Sequence, residues 1–159
     1  MNLSCFFSVC FVLFTPNDTS CYQPGKTPSD HFNLNSQKLA ISGYDATTYF
    51  THESPKKGNK KWQVVHNGAV YHFFSSDNQK KFKDNPAKYL PKYGGWCAYA
   101  IGKNGAKVSV DPESYLIDNG ALYLFYKSFF NDTRKKWLNN RFNLKSNADK
   151  HWKKIILND

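Results

Sequence analysis

The sequence predicts a single α+β domain of small antiparallel β-hairpins packed against short helices. Two Asn-Gly dipeptides, at Asn67 and Asn119, each lie between runs of aromatic and β-branched residues. This pattern is the strongest short-range signal for a hairpin, because a type I′ turn needs positive φ at both central positions. Near the C-terminus, apolar residues recur at helical spacing. Hairpins and helices are thus segregated along the chain, which is typical of the α+β class.

The first hairpin is expected to pair strands 62–66 and 69–74. A two-residue turn predicts five cross-strand pairs: His66/Ala69, Val65/Val70, Val64/Tyr71, Gln63/His72 and Trp62/Phe73. Paired residues share a face and successive residues alternate between faces. Trp62, Val64, Tyr71 and Phe73 are therefore predicted to face the core. His66 and His72 then point to opposite faces and cannot bind one metal together.

Short helices are predicted around the hairpins. Asp45 is expected to cap one helical turn over 45–50. Ser76 is expected to cap a helix that ends before Pro86, with Gln79 completing a capping box. A further helix is predicted over 96–101 and ends at Gly102.

The second hairpin, over 115–117 and 121–125, precedes C-terminal helices predicted over 128–139 and 143–157. No internal repeat is evident in the sequence.

The N-terminal region predicts export. Residues 3–14 form an apolar run of signal-peptide length that is too short to span a bilayer. We interpret 1–20 as a signal peptide, 21–37 as a flexible linker and 38–159 as the domain, so the mature chain has no transmembrane span. A buried N-terminal element is the alternative. Lipidation at Cys21 is poorly supported, because Asp18 stands where a lipoprotein box has an apolar residue.

The chain is basic and rich in aromatic residues. Its 159 residues carry a net charge of +10, and 17% of them are Phe, Trp or Tyr, enough for one dense core. An excess of basic residues makes nucleic acids and anionic membranes candidate partners. The lysines are spread over one loop and the last helices without a known docking motif, which argues against nucleic acid. We expect these lysines to form a solvated basic surface.

Four short motifs occur in order along the predicted domain. The main motif is His66-x-Gly68-x-x-Tyr71-x-Phe73-x-Ser75, followed by Phe82, Asn85-Pro86 and Lys88-Tyr89. Flanking motifs are Ile41-Ser42-Gly43-Tyr44-Asp45 with Tyr49-Phe50, then Tyr93-Gly94-Gly95-Trp96-Cys97-Ala98-Tyr99, and Trp137-Leu138. Together, over roughly residues 38 to 157, these motifs resemble the YHS domain family, closest to its secreted single-domain branch. The resemblance implies a small metal-binding module.

The chain departs from the family at the metal site. The resemblance places the family's cysteines at Thr48, Phe74 and Asn78 of this chain. None of the three is a soft ligand, so a thiolate cage cannot be carried over. The remaining candidate metal ligands are Cys97, His66 and Asp45, and a Cys-His pair would suit copper or zinc.

Cys97 is the one cysteine of the predicted domain. At the start of a helix, unpaired N–H groups and the helix dipole favour a thiolate, which is a nucleophile and a metal ligand. Two other readings stay open: a buried structural residue, or a disulfide with Cys21 in an oxidising compartment.

Binding is a better expectation than catalysis. The chain has no nucleophile elbow, no zinc-protease motif and no phosphate loop. Tyr44, Tyr71 and Tyr99 are candidates to line a small-ligand pocket, although such residues commonly form a core. The leading hypothesis is an exported copper-like metal-binding or sensing module at Cys97 and His66. The alternatives are an interaction or scaffold domain without the metal site, and a thiol redox protein using Cys97.

Overall fold

The structure is a computed structural model, and it describes residues 28–158. It confirms the α+β class, with two antiparallel two-stranded sheets packed against helices. Strands are β1 Asn59–His66, β2 Ala69–Phe73, β3 Asp111–Asp118 and β4 Ala121–Phe125. Helices are α1 Thr48–Thr51, α2 Ser76–Asp84, α3 Pro86–Tyr89, α4 Ala98–Asn104, α5 Thr133–Asn139 and α6 Arg141–Asn158. Single 3₁₀ turns lie at Pro28–His31, Ile41–Gly43 and Lys92–Gly95.

The first hairpin confirms four of the five predicted pairs, from His66/Ala69 to Gln63/His72. The fifth is wrong, because Phe73 pairs with Asn59 and not with Trp62. The Asn59 side-chain oxygen accepts the N–H of Lys61 at 2.8 Å. This local turn takes up the extra residues of β1 as a bulge.

The predicted starts and ends of several helices need correction, and α5 begins at Thr133 rather than at residue 128. Ser75, not Ser76, caps α2, and its hydroxyl accepts the N–H of Asn78. Gln79 completes no capping box, since its amide donates to the carbonyl of Gln63 instead. α1 begins after Thr47 rather than at Asp45.

Gly102 does not end α4; the helix continues to a left-handed cap at Gly105. A Cβ at Gly102 would lie 2.6 Å from the Leu144 carbonyl oxygen, so this glycine allows α4 and α6 to approach closely.

The structure contains an internal repeat that is not evident in the sequence. The two hairpins have the same register and the same bulge, with an offset of 52 residues from Asn67 to Asn119. The same offset relates the bridge of Leu39 with Val70 to the bridge of Pro91 with Leu122. Each unit also has a left-handed tripeptide at the same place, at 41–43 and at 93–95. The domain is therefore a structural duplication, with unit 1 starting at Leu39 and unit 2 at Pro91.

Two aromatic cores lie on either side of β4. Leu122 and Leu124 pack into the core of unit 1, whereas Tyr123 and Phe125 pack into the core of unit 2. Phe82 fills the centre of the first core against Tyr71 and Phe73. Trp137 has the same role in the second, against Tyr123 and Phe125.

The segment before the domain is partly packed onto it. The backbone N–H of Asn33 donates to the Gly94 carbonyl at 2.8 Å, and the Trp96 indole donates to the His31 carbonyl at 2.7 Å. His31 and Asn33 of the predicted flexible linker are thus held against unit 2, while Leu34 packs on the core of unit 1. The predicted signal peptide and Cys21 lie outside the described residues. Within residues 28–158, no helix is both long and apolar enough to cross a membrane.

Candidate functional site

Asp45 is the centre of a buried hydrogen-bond network. Its side chain is fully buried. One carboxylate oxygen accepts the N–H and the hydroxyl of Thr47, at 2.8 and 2.7 Å. The other accepts the N–H of Phe74 and the amide of Asn78, at 2.7 and 2.8 Å. An ionised carboxylate offers about four acceptor positions, so all four are used.

The three positions that the resemblance matches to cysteines, Thr48, Phe74 and Asn78, all hydrogen-bond to Asp45. Asn78 donates its side-chain amide and Phe74 its backbone N–H to the carboxylate, and the Thr48 hydroxyl donates to the Asp45 main-chain carbonyl at 2.7 Å. The Phe74 side chain itself is exposed to solvent. This arrangement ties α1, the end of β2 and α2 together.

Cys97 occupies the equivalent place in unit 2. It is the N-cap residue of α4 and makes no capping hydrogen bond, so it lies one residue before the first turn in which it was expected. Its sulfur accepts the N–H of Tyr126 at 3.3 Å and lies 3.4 Å from the Thr133 hydroxyl. That hydroxyl donates to the Tyr126 carbonyl at 2.6 Å, which leaves its oxygen free to accept the thiol hydrogen. Cys97 is free of any disulfide to a described residue and is fully buried.

His66 takes no part in the hydrogen bonds of either network. Its ring packs on Phe82 of unit 1, with ring centroids 5.8 Å apart. Cys97 contacts Tyr126 and Thr133 of unit 2, whereas the Asp45 carboxylate hydrogen-bonds to Thr47, Phe74 and Asn78 of unit 1. Between residues 28 and 158, no group of three His, Cys, Asp or Glu side chains is arranged to hold a metal ion.

The three candidate pocket tyrosines do not converge. Tyr71 is buried in the core of unit 1, and this burial raises its pKa above the ordinary value. Tyr44 lies at the edge of that core, and the hydrogen bond from its hydroxyl to Glu113 raises its pKa. Tyr99 packs against the core of unit 2 and lines a cavity of about 290 Å³ beside Cys97.

Sequence reasoning missed a larger cleft of about 610 Å³ between α3, the β3–β4 turn and α6. Three lysines, Lys88, Lys92 and Lys153, line it beside the aromatic rings of Tyr93 and Trp152. These lysines form no ion pair within the described part of the chain. The cleft was missed because its lysines lie up to 65 positions apart, from Lys88 to Lys153.

Asp149 is the one acidic residue that lines the cleft. Its carboxylate accepts from the Tyr93 hydroxyl at 2.9 Å and pairs with Lys145 at 2.8 Å. Burial raises the pKa of Tyr93, and the neighbouring Asp149 raises it further. With its acid already paired, the cleft offers an excess of positive charge to a ligand.

The fold and site define a duplicated α+β domain with one buried polar network in each unit. Comparison with protein-family models, with curated proteins and with solved structures finds no match to this chain. The resemblance to the YHS family stays a prediction from the motifs named above.

Proposed function

We propose that this chain is a non-catalytic interaction domain that keeps a YHS-like fold without the family's cysteine metal site. The observation that carries the proposal is the fully hydrogen-bonded Asp45 carboxylate. A metal ion at Asp45 would have to displace buried donors, and leaving such donors unpaired costs about 1–3 kcal/mol each. In both units, the buried polar side chains connect helices to hairpins through hydrogen bonds.

The metal-binding hypothesis needs donors that converge. Asp45, His66 and Cys97 each contact different partners, and Asp45 and Cys97 are fully buried. These separate contacts favour the interaction domain over a copper or zinc centre. A redox role for Cys97 would need a second thiol, and the candidate, Cys21, lies outside the described residues.

The lysine-lined cleft is the proposed binding surface. Three lysines and two aromatic rings suit an anionic group attached to an apolar body, such as an acidic peptide with an aromatic residue. Together with the predicted signal peptide, this describes an exported binding domain for acidic partners.

Elemental analysis tests the loss of the metal site. The purified chain is expected to retain no stoichiometric copper or zinc after desalting, and its melting temperature should not respond to either ion. A metal that is retained by the wild type and lost in both Cys97→Ala and His66→Ala would overturn the proposal.

Titration with a fluorescent Glu-rich peptide carrying one Trp tests the cleft. We expect Lys92→Glu combined with Lys153→Glu to weaken binding by at least about tenfold. The matched control is Lys81→Glu combined with Lys83→Glu, which changes the net charge equally on α2, away from the cleft. Equal loss in both double variants would show a general charge effect and contradict a specific cleft.

A further inference from the structure

The loop between β4 and α5 presents two phenyl rings to solvent. Ser128 and Asn131 exchange backbone hydrogen bonds of 2.9 and 3.3 Å, which closes a tight turn with Phe129 and Phe130 at its corners. The two side chains are 93% and 94% exposed. Their ring centroids lie 4.8 Å apart, in edge-to-face contact. The turn therefore presents a pair of apolar rings to solvent.

The duplication shows that the fold does not need this turn. In unit 1, Ser75 caps α2 immediately after Phe74. In unit 2, residues 127–131 separate Tyr126, the counterpart of Phe74, from the cap Asp132. The insertion thus adds two exposed phenyl rings that fill no core. Exposed apolar groups of this kind mark interaction sites.

Positive charge surrounds the rings. Lys127, Lys135 and Lys136 line one surface concavity of about 400 Å³ together with Phe129 and Phe130. None of the three lysines forms an ion pair with another residue in 28–158. Asp132 is the acid in the concavity, and its carboxylate accepts the N–H groups of Arg134 and Lys135 at the start of α5. The concavity shares no residue with the lysine-lined cleft.

We propose that this turn docks the domain on an anionic lipid bilayer. Both rings are almost fully exposed at the open side of the concavity, which fits insertion into the headgroup region better than burial in a protein groove. Phenyl rings gain free energy at the boundary between headgroups and acyl chains, while adjacent lysines pair with lipid phosphates. Charge complementarity between the three lysines and an anionic surface, together with the exposure of both rings, favours a bilayer as the occupant.

Vesicle sedimentation with the full chain tests the proposal. The chain is expected to bind vesicles of phosphatidylcholine and phosphatidylglycerol on the order of a hundredfold more tightly than phosphatidylcholine alone, because each lysine contributes about fivefold. Phe129→Ser combined with Phe130→Ser should weaken binding to the mixed vesicles by at least about tenfold. Lys135→Gln combined with Lys136→Gln should also weaken it by at least about tenfold, with a smaller salt dependence.

Phe142→Ser is the matched control, since it removes another phenyl ring, 81% exposed on α6. It should bind as the wild type does. All variants share residues 1–27, so differences among them report the substituted side chains alone. Equal vesicle binding by the wild type and the Phe129/Phe130 double variant would overturn the proposal. So would a wild type that ignores both vesicle types, or that uses the rings to dimerise or to capture a protein instead.

Discussion

Asp45 and Cys97 occupy equivalent positions in the two units of the duplication. A carboxylate oxygen of Asp45 accepts the N–H of Phe74 at 2.7 Å, and the sulfur of Cys97 accepts the N–H of Tyr126 at 3.3 Å. In both units the acceptor also contacts a polar side chain of the following helix, Asn78 in one and Thr133 in the other. The connection between hairpin and helix is thus made by a carboxylate in unit 1 and by a thiol in unit 2.

Asp45→Asn tests the hydrogen bonds that connect hairpin and helix in unit 1. The side-chain amide that replaces the carboxylate carries an NH₂ donor. This donor would face the N–H and hydroxyl donors that now bind the Asp45 carboxylate. We therefore expect a loss of about 3 kcal/mol in the free energy of unfolding. Urea denaturation measures this loss. Asp77→Asn, on the exposed face of the same helix α2, is the control and should cost less than about 1 kcal/mol. Equal effects of the two substitutions would contradict the role assigned to Asp45.

The thiol of Cys97 is expected to be unreactive in the folded protein because it is fully buried. Alkylation by iodoacetamide, followed by peptide mass mapping, should label Cys97 slowly in buffer and rapidly in urea. Cys97→Ala should also destabilise the fold by about 1–3 kcal/mol, since the Tyr126 N–H loses its acceptor. Rapid labelling in buffer would instead support a functional thiol.

Phe82 and Trp137 fill the two cores at corresponding places. Phe82→Ala and Trp137→Ala should each cost about 3–5 kcal/mol, because both side chains are almost fully buried among aromatic rings. Phe142→Ala removes an exposed ring and is expected to change stability by less than about 0.5 kcal/mol. Thermal and urea unfolding of the three variants checks this. A small effect at Trp137 alone would show that the second core is not built like the first.

Gly102→Ala should destabilise the protein although alanine is the better helix former. Helix propensity favours Ala over Gly by about 1 kcal/mol. At Gly102, however, the added Cβ would lie 2.6 Å from the Leu144 carbonyl oxygen. Separating two packed helices costs typically about 1–3 kcal/mol, which outweighs the gain. A higher melting temperature in this variant would contradict the close approach of α4 and α6.

Stability should fall as the pH rises above 10, because burial raises the pKa of Tyr71 above its ordinary value of 10.0. In this pH range the unfolded chain releases the Tyr71 proton while the folded chain keeps it. Each such tyrosine therefore removes about 1.4 kcal/mol of stability per pH unit. Tyr71→Phe should reduce this slope while leaving stability at pH 7 nearly unchanged. An unchanged slope, measured by urea unfolding between pH 9 and pH 11, would contradict the prediction.

The hairpins could be predicted because their information is local. Each Asn-Gly turn determines which residues face each other, and the apolar alternation then places Tyr71 and Phe73 in the core. The bulge at Asn59 could not be predicted, because it follows from a side-chain contact to the backbone of Lys61.

Features that depend on distant contacts were harder to predict. The duplication is hidden because the two units share shape more than residue type, as the Asp45 and Cys97 pair shows. One signal was present: Gly43 precedes Asn67 by the same 24 positions that separate Gly95 from Asn119. Gly102 was mistaken for a helix end because its neighbour Leu144 lies far away in sequence.

The position of β4 between the two cores has a consequence for how the molecule comes apart. Removing unit 2 would take Leu122 and Leu124 out of the core of unit 1. Phe82, which belongs to the same core, would then be partly exposed to water. Unit 1 alone would therefore leave part of its own core exposed to water, so the two units are expected to unfold together.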